Sequence, residues 1–89
     1  VIARRYVVRG SVQGVGFRYF VHRKATALLI SGLVRNLDDG SVEVIAIGTK
    51  DQHAQLAGHL HLGPVGSEVR GVEELESPMQ QYNSFSIAP

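Results

Sequence analysis

The sequence predicts an α+β sandwich: an antiparallel sheet with two helices on one face, in the order βαββαβ(β). Three observations carry this. An alternating N-terminal run leads through glycines into a run with helical periodicity. Two further alternating runs flank an Asp-Gly turn. A second apolar stripe, capped at its start and broken by Gly-Pro, leads into more extended sequence.

Residues 4–12, Arg-Arg-Tyr-Val-Val-Arg-Gly-Ser-Val, form the first strand. Tyr6, Val8 and Val12 fall on one face, and Val7 blurs the alternation. Phe17, Phe20, Val21, Ala25, Leu28 and Leu29 then recur at helical spacing, while Arg18, His22, Arg23 and Thr26 face elsewhere. Gly32 ends that run. Leu33 to Leu37 is the second strand, and Asp38-Asp39-Gly40 supplies the turn. Ser41 to Ile47 is the third, with Val42, Val44 and Ala46 opposed to Glu43, Ile45 and Ile47. Thr49 or Asp51 caps a second helix over about 50–61, whose buried stripe is Leu56, Ala57 and Leu60. Gly63-Pro64 breaks it. Val65 to Leu75 contains the fourth strand, with Glu and Arg outward. Ser77-Pro78 interrupts, and Tyr82 to Ile87 is a short last strand. The order suits a split βαβ, ferredoxin-like sandwich.

Eighty-nine residues make one domain, 1–89, with one modest core. The chain is 44% hydrophobic and 19% charged, which excludes a disordered class. No run approaches the ~20 apolar residues of a membrane span. The start, Val1-Ile2-Ala3-Arg4-Arg5, is charged too early for a secretory leader. With no cysteine there is no disulfide, thiolate site or cysteine nucleophile. A cytoplasmic monomer is expected. Net charge is +1, so no bulk affinity for nucleic acid is expected. The charges are nevertheless uneven: Arg4, Arg5, Arg9, Arg18, Arg23, Lys24 and Arg35 precede every acidic residue. Either folding interleaves the two halves, or some cations converge on an anion site.

The stretch Gly10-Ser11-Val12-Gln13-Gly14-Val15-Gly16-Phe17-Arg18 joins a strand to a helix. Opening N–H groups of a helix have no internal partner. Gly16, before Phe17, has no side chain to cover them. Glycines let the backbone turn at positive φ and approach a ligand closely. Free donors at the positive end of a helix dipole favour an anion, and Arg18 adds a forked guanidinium. A tight turn beside a solvated arginine is the alternative. Neither a P-loop nor a dinucleotide fingerprint matches, since Tyr19 stands at the third glycine's place. Asn36, at the end of the second strand, either initiates the turn or orients a water near the glycine loop.

Other groups carry less. His22, His53, His59 and His61 are expected to be exposed or locally bonded, with no metal site. Ser11 and Ser31 lack a triad context. Asp38 and Asp39 belong to the hairpin. Glu73, Glu74 and Glu76 form a solvated strand face.

At these residues the chain resembles the acylphosphatase family. The resemblance rests on Gly10 to Arg18, Phe20-Val21, Gly32-Leu33-Val34-Arg35-Asn36, Asp39-Gly40-Ser41-Val42-Glu43 and Gly63-Pro64. It implies the ferredoxin-like sandwich and hydrolysis of acyl phosphates to carboxylate and phosphate, without cofactor. The family's catalytic arginine maps onto Arg18 and its water-orienting asparagine onto Asn36. The phosphate cradle maps onto the backbone of Gln13, Gly14, Val15, Gly16, Phe17 and Arg18. Two departures bear on packing. The family commonly has glycine where Leu29 stands, so the helix is expected to run on and end through Gly32. Leu33 replaces a frequent aromatic.

The chemistry is consistent with what the chain lacks. A carboxylate leaving group is already a weak base, and phosphoryl transfer is largely dissociative, so strong acid and base are dispensable. Neutralising the phosphate oxygens and placing water suffice. An RNA-binding sandwich stacks bases on central-strand aromatics, and Ser41 to Ile47 has none. A non-catalytic phosphate- or carbamoyl-phosphate-binding module cut from a larger maturation protein is the remaining alternative.

Overall fold

The computed structural model describes all residues, 1–89. The order is β1 (Ile2–Ser11), α1 (Phe17–Ala27), β2 (Ser31–Asn36), β3 (Val42–Gly48), α2 (Lys50–Leu62), β4 (Glu68–Glu76) and β5 (Phe85–Ile87). The sheet runs β4-β1-β3-β2-β5. α1 lies over β2 and β5, and α2 over β3 and β4. Tyr6, Val8, Val34, Val42, Val44 and Ala46 of the sheet meet Phe17, Phe20, Val21, Ala25, Leu56 and Leu60 of the helices in one core. Strand alternation and helical period thus chose the buried face as read from the sequence.

Val7 is on the other face yet only 2% exposed. It pairs with Glu43 and Glu73, and Arg5 and Arg9 flank it along the strand. There Glu43 accepts from both Arg5 and Arg35. Burial works to raise its carboxyl, but the two arginines outweigh it and hold the group below its ordinary value. Arg4 pairs with Glu74, and Arg9 with Asp39 and Glu73. Folding therefore interleaves most of the uneven charge, because β4 brings late acidic residues beside β1.

The sheet is mixed, a correction to the antiparallel expectation. β1 pairs antiparallel with β3 and β4, and β2 with β3, but β5 joins β2 in parallel. β4 and β5 occupy opposite edges, so residues 77–84 carry the chain from one edge to the other. β1, β2 and β5 consequently point the same way. Their C-terminal ends, with the loop before α1, Asn36 and Ala88, share one end of the sheet.

The end of α1 is a second correction. The helix stops at Ala27 and Leu29 takes a left-handed φ of 61°. The Ile30 N–H reaches Ala25 O at 2.9 Å and the Leu29 N–H reaches Thr26 O at 3.1 Å. That is a Schellman cap with leucine where glycine is usual. Gly32 is no terminator. It lies inside β2, where a Cβ would sit 1.9 Å from Ile45 O. Leu29 does not join the buried stripe and is 84% exposed. Removing its steric conflict with little lost contact, Leu29→Gly should raise stability by about 1 kcal/mol, or roughly 4–8 °C in Tm. An unchanged or lower thermal midpoint contradicts this.

α2 opens on Thr49, which accepts from the Gln52 N–H while the Gln52 side chain accepts from the Thr49 N–H. Gln52 also donates to Leu28 O at 2.8 Å, tying this cap to the end of α1. The third correction is His53, which is 0% exposed. Its Nε2 faces Ile2 O at 2.8 Å, so the proton sits there, and Nδ1 accepts from the Tyr6 hydroxyl at 2.7 Å. Both bonds are long-range, and the ring is fully satisfied when neutral. Burial holds its pKa below 6.5 and pushes the Tyr6 phenol up. As pH falls below 6.5 the unfolded chain takes the proton first. The contribution of His53 is therefore complete above that value and declines below it, before Glu43 and Asp39 titrate. Urea midpoints should fall from neutral pH towards pH 5. His53→Gln should flatten that decline, and an equally steep decline in the variant overturns the assignment.

Candidate functional site

β1 ends at Ser11, and Val12 drops into the core. Gly14 (φ 75°) and Gly16 (φ 77°) both lie in the left-handed region with open space around them. Glycine is required there by backbone conformation and not by crowding. Gly16 caps α1 without any side-chain bond, as expected. The first N–H of this segment to find a backbone acceptor is that of Phe20, on Gly16 O at 3.1 Å. The preceding amides meet no backbone carbonyl. Val15 packs partly against the core and Phe17 is buried.

A cleft of about 200 Å³ is lined here by Gly14, Gly16, Phe17, Arg18, Tyr19 and Asn36; Gln13 and Val15 do not line it. A hollow of about 550 Å³ lies along β1 and β4, but its guanidinium, Arg4, is paired with Glu74. Size alone does not mark a site; free charge and donors do.

Arg4, Arg5, Arg9, Arg35 and Arg70 each face a carboxylate. Half-buried Arg18 does not; its Nη1 donates to Ala88 O at 3.3 Å. Ala88 directly follows β5, and its carbonyl is at this end of the sheet because β5 runs parallel to β2. The guanidinium is thus held by a neutral group, leaving its charge for an external anion. Asn36 ends β2 opposite Val42, two strands from β1 and so about 10 Å across the sheet. The glycine loop closes that gap, and Arg18 and Asn36 line the same cleft.

Gln13 departs from the others. Its Nε2 donates to Leu37 O at 2.8 Å and Ser41 O at 2.9 Å, so its side chain is engaged at the β2–β3 turn. On the far side of that turn Asp39 accepts from the Ser41 hydroxyl and N–H, which hold its carboxyl below the ordinary value. Sequence reasoning missed three features: the Gln13 bonds, the Ala88 carbonyl, and Tyr19, which lines the cleft at 70% exposure. Only Tyr19 had a visible signal, an aromatic next to Arg18 on a polar helix face. No three or more His, Cys, Asp or Glu side chains cluster for a metal, and no helix is long and apolar enough to cross a membrane.

The chain is a ferredoxin-like sandwich whose uncapped helix start, Arg18 and Asn36 border one cleft, an arrangement that can accept a small anion. Comparison with known proteins makes the class specific. The acylphosphatase family model matches residues 4–87. The acylphosphatase of Solibacter usitatus is 53% identical over 85 residues, covering 96% of this chain and 88% of that protein. That of Archaeoglobus fulgidus is 42% identical, covering 99% of each. The crystal structure of acylphosphatase from Bacillus subtilis superposes with a TM-score of 0.95 at 36% identity, covering 100% of both chains. The chain belongs to the acylphosphatase family, and is thereby a hydrolase. It also resembles part of a HypF from T. kodakarensis, with a TM-score of 0.88 and 30% identity, over 12% of that chain.

Proposed function

We propose that this chain hydrolyses the carboxyl–phosphate bond of small acyl phosphates by direct attack of a water that Asn36 orients. The observation that carries it is Arg18, free of any carboxylate, beside partnerless amides in the cleft that Asn36 enters. The phosphoryl oxygens accept hydrogen bonds from the amides of Gln13 to Arg18 and from the guanidinium fork, which stabilise the charge that develops in the transition state. Asn36 holds water through its carboxamide, which donates and accepts without titrating. The water oxygen bonds to phosphorus, the phosphorus–carboxyl oxygen bond breaks, the carboxylate leaves unprotonated, and both water hydrogens stay on the product as dihydrogen phosphate, which then exchanges protons with solvent. No step calls for a metal, cofactor or nucleic acid. In this reading residues 1–89 act as one acylphosphatase-like domain, monomeric and cytoplasmic.

Hydrolysis of benzoyl phosphate in ¹⁸O-labelled water tests this. The label should enter phosphate and not benzoate. Label in benzoate means attack at the carbonyl carbon and overturns the mechanism. Binding of phosphate without turnover by the folded chain would favour a binding module, the reading that the likeness to HypF keeps in view.

A further inference from the structure

We propose that Gln13 is a positioning residue that fixes the distance between the phosphate cradle and Asn36. Gln13 is covalently joined to Gly14, the first of the two left-handed glycines of the cradle. Its side-chain NH₂ spends one hydrogen on Leu37 O and the other on Ser41 O. Leu37 directly follows Asn36. One carboxamide therefore connects the loop that takes phosphate to the residue after the one that takes water.

The turn does not need Gln13 in order to form. The Leu37 N–H reaches Ser41 O at 2.9 Å, and the Gly40 N–H reaches Leu37 O at 3.2 Å. Asp39 secures Ser41 besides, and the β2–β3 ladder sets the register. Gln13 uses the second lone pair of each carbonyl. The loop is what needs it, since Gly14 and Gly16 have no side chains in contact with anything. Their conformational freedom would let the cradle drift relative to Asn36, and in-line attack is sensitive to about 1 Å of such drift. The function of Gln13 is thus to restrict the loop, with its side chain off the substrate.

This rests on Asn36 orienting the water, so both residues are varied. Gln13→Met keeps the length and lacks the donors; Gln13→Ala removes the side chain. Each is made in the parent and in Asn36→Ala, with folding checked by urea midpoint. Both should lower kcat by roughly ten- to a hundredfold, while the inhibition constant of inorganic phosphate changes by less than about threefold. In the Asn36→Ala background the same changes should lower kcat by less than about twofold more, because the partner is gone. A full, additive loss there, an unchanged kcat, or a loss of phosphate binding in step with kcat overturns the proposal. If instead Asn36→Ala itself keeps parental turnover, it is the role of Asn36 that fails.

Discussion

Arg18→Ala is expected to fold like its parent and lose almost all turnover. The loss should be about 3–4 kcal/mol of transition-state stabilisation, or 10²–10³ in rate, as for removal of one preorganised oxyanion donor. Folding should survive because the half-buried guanidinium has no carboxylate partner to strand, only the Ala88 carbonyl. A change within about 0.5 kcal/mol of stability is expected. Affinity for phosphate should fall together with kcat, since the same fork meets ground state and transition state. Arg18→Lys should recover only part, because an ammonium brings the charge without the planar pair of donors. Wild-type kinetics in purified Arg18→Ala would remove Arg18 from the chemistry.

Asn36→Ala is the second large effect, with a different signature. Asn36 acts on water, so kcat should fall by about 2.5–4 kcal/mol while phosphate affinity stays close to the parent's. Its backbone remains paired opposite Val42 whatever the side chain, so β2 and the hairpin persist. The split between the two variants, one losing binding and turnover, the other turnover alone, separates cradle from water site. Equal losses of both properties in Asn36→Ala would make it a phosphate ligand instead.

Much of this arrangement is legible in the residues. Alternation at Tyr6-Val8 and Val42-Val44-Ala46, the 3.6-residue stripe from Phe17 to Ala25, and the Asp-Gly turn each report local periodicity, which the fold honours. The uncapped loop is legible because glycine at Gly16 is a backbone statement and Arg18 lies within one turn of it. What escaped depends on distant parts of the chain. β5 is three residues long, too short for any period to show its direction, and that direction delivers Ala88 to Arg18. Leu29 was read through its apolarity, yet the Schellman cap and the Gln52 bond to Leu28 determine its backbone. His53 is three residues before Leu56 and seven before Leu60, on the buried stripe, but was expected to be exposed or locally bonded. Tyr6 and Ile2, more than forty residues away, satisfy it. The uneven charges looked like a candidate anion site; strand pairing absorbs Arg4, Arg5, Arg9 and Arg35, and of Arg18, Arg23 and Lys24, which face no carboxylate, only Arg18 lines the cleft.

Steady-state hydrolysis of benzoyl phosphate, with a chelator present and Arg18→Ala measured beside the parent, tests the central claim most directly. The expected result is parental turnover indifferent to chelator and at least about a hundredfold lower in the variant. A folded parent that binds phosphate but releases no benzoate, or a variant as fast as the parent, would contradict it.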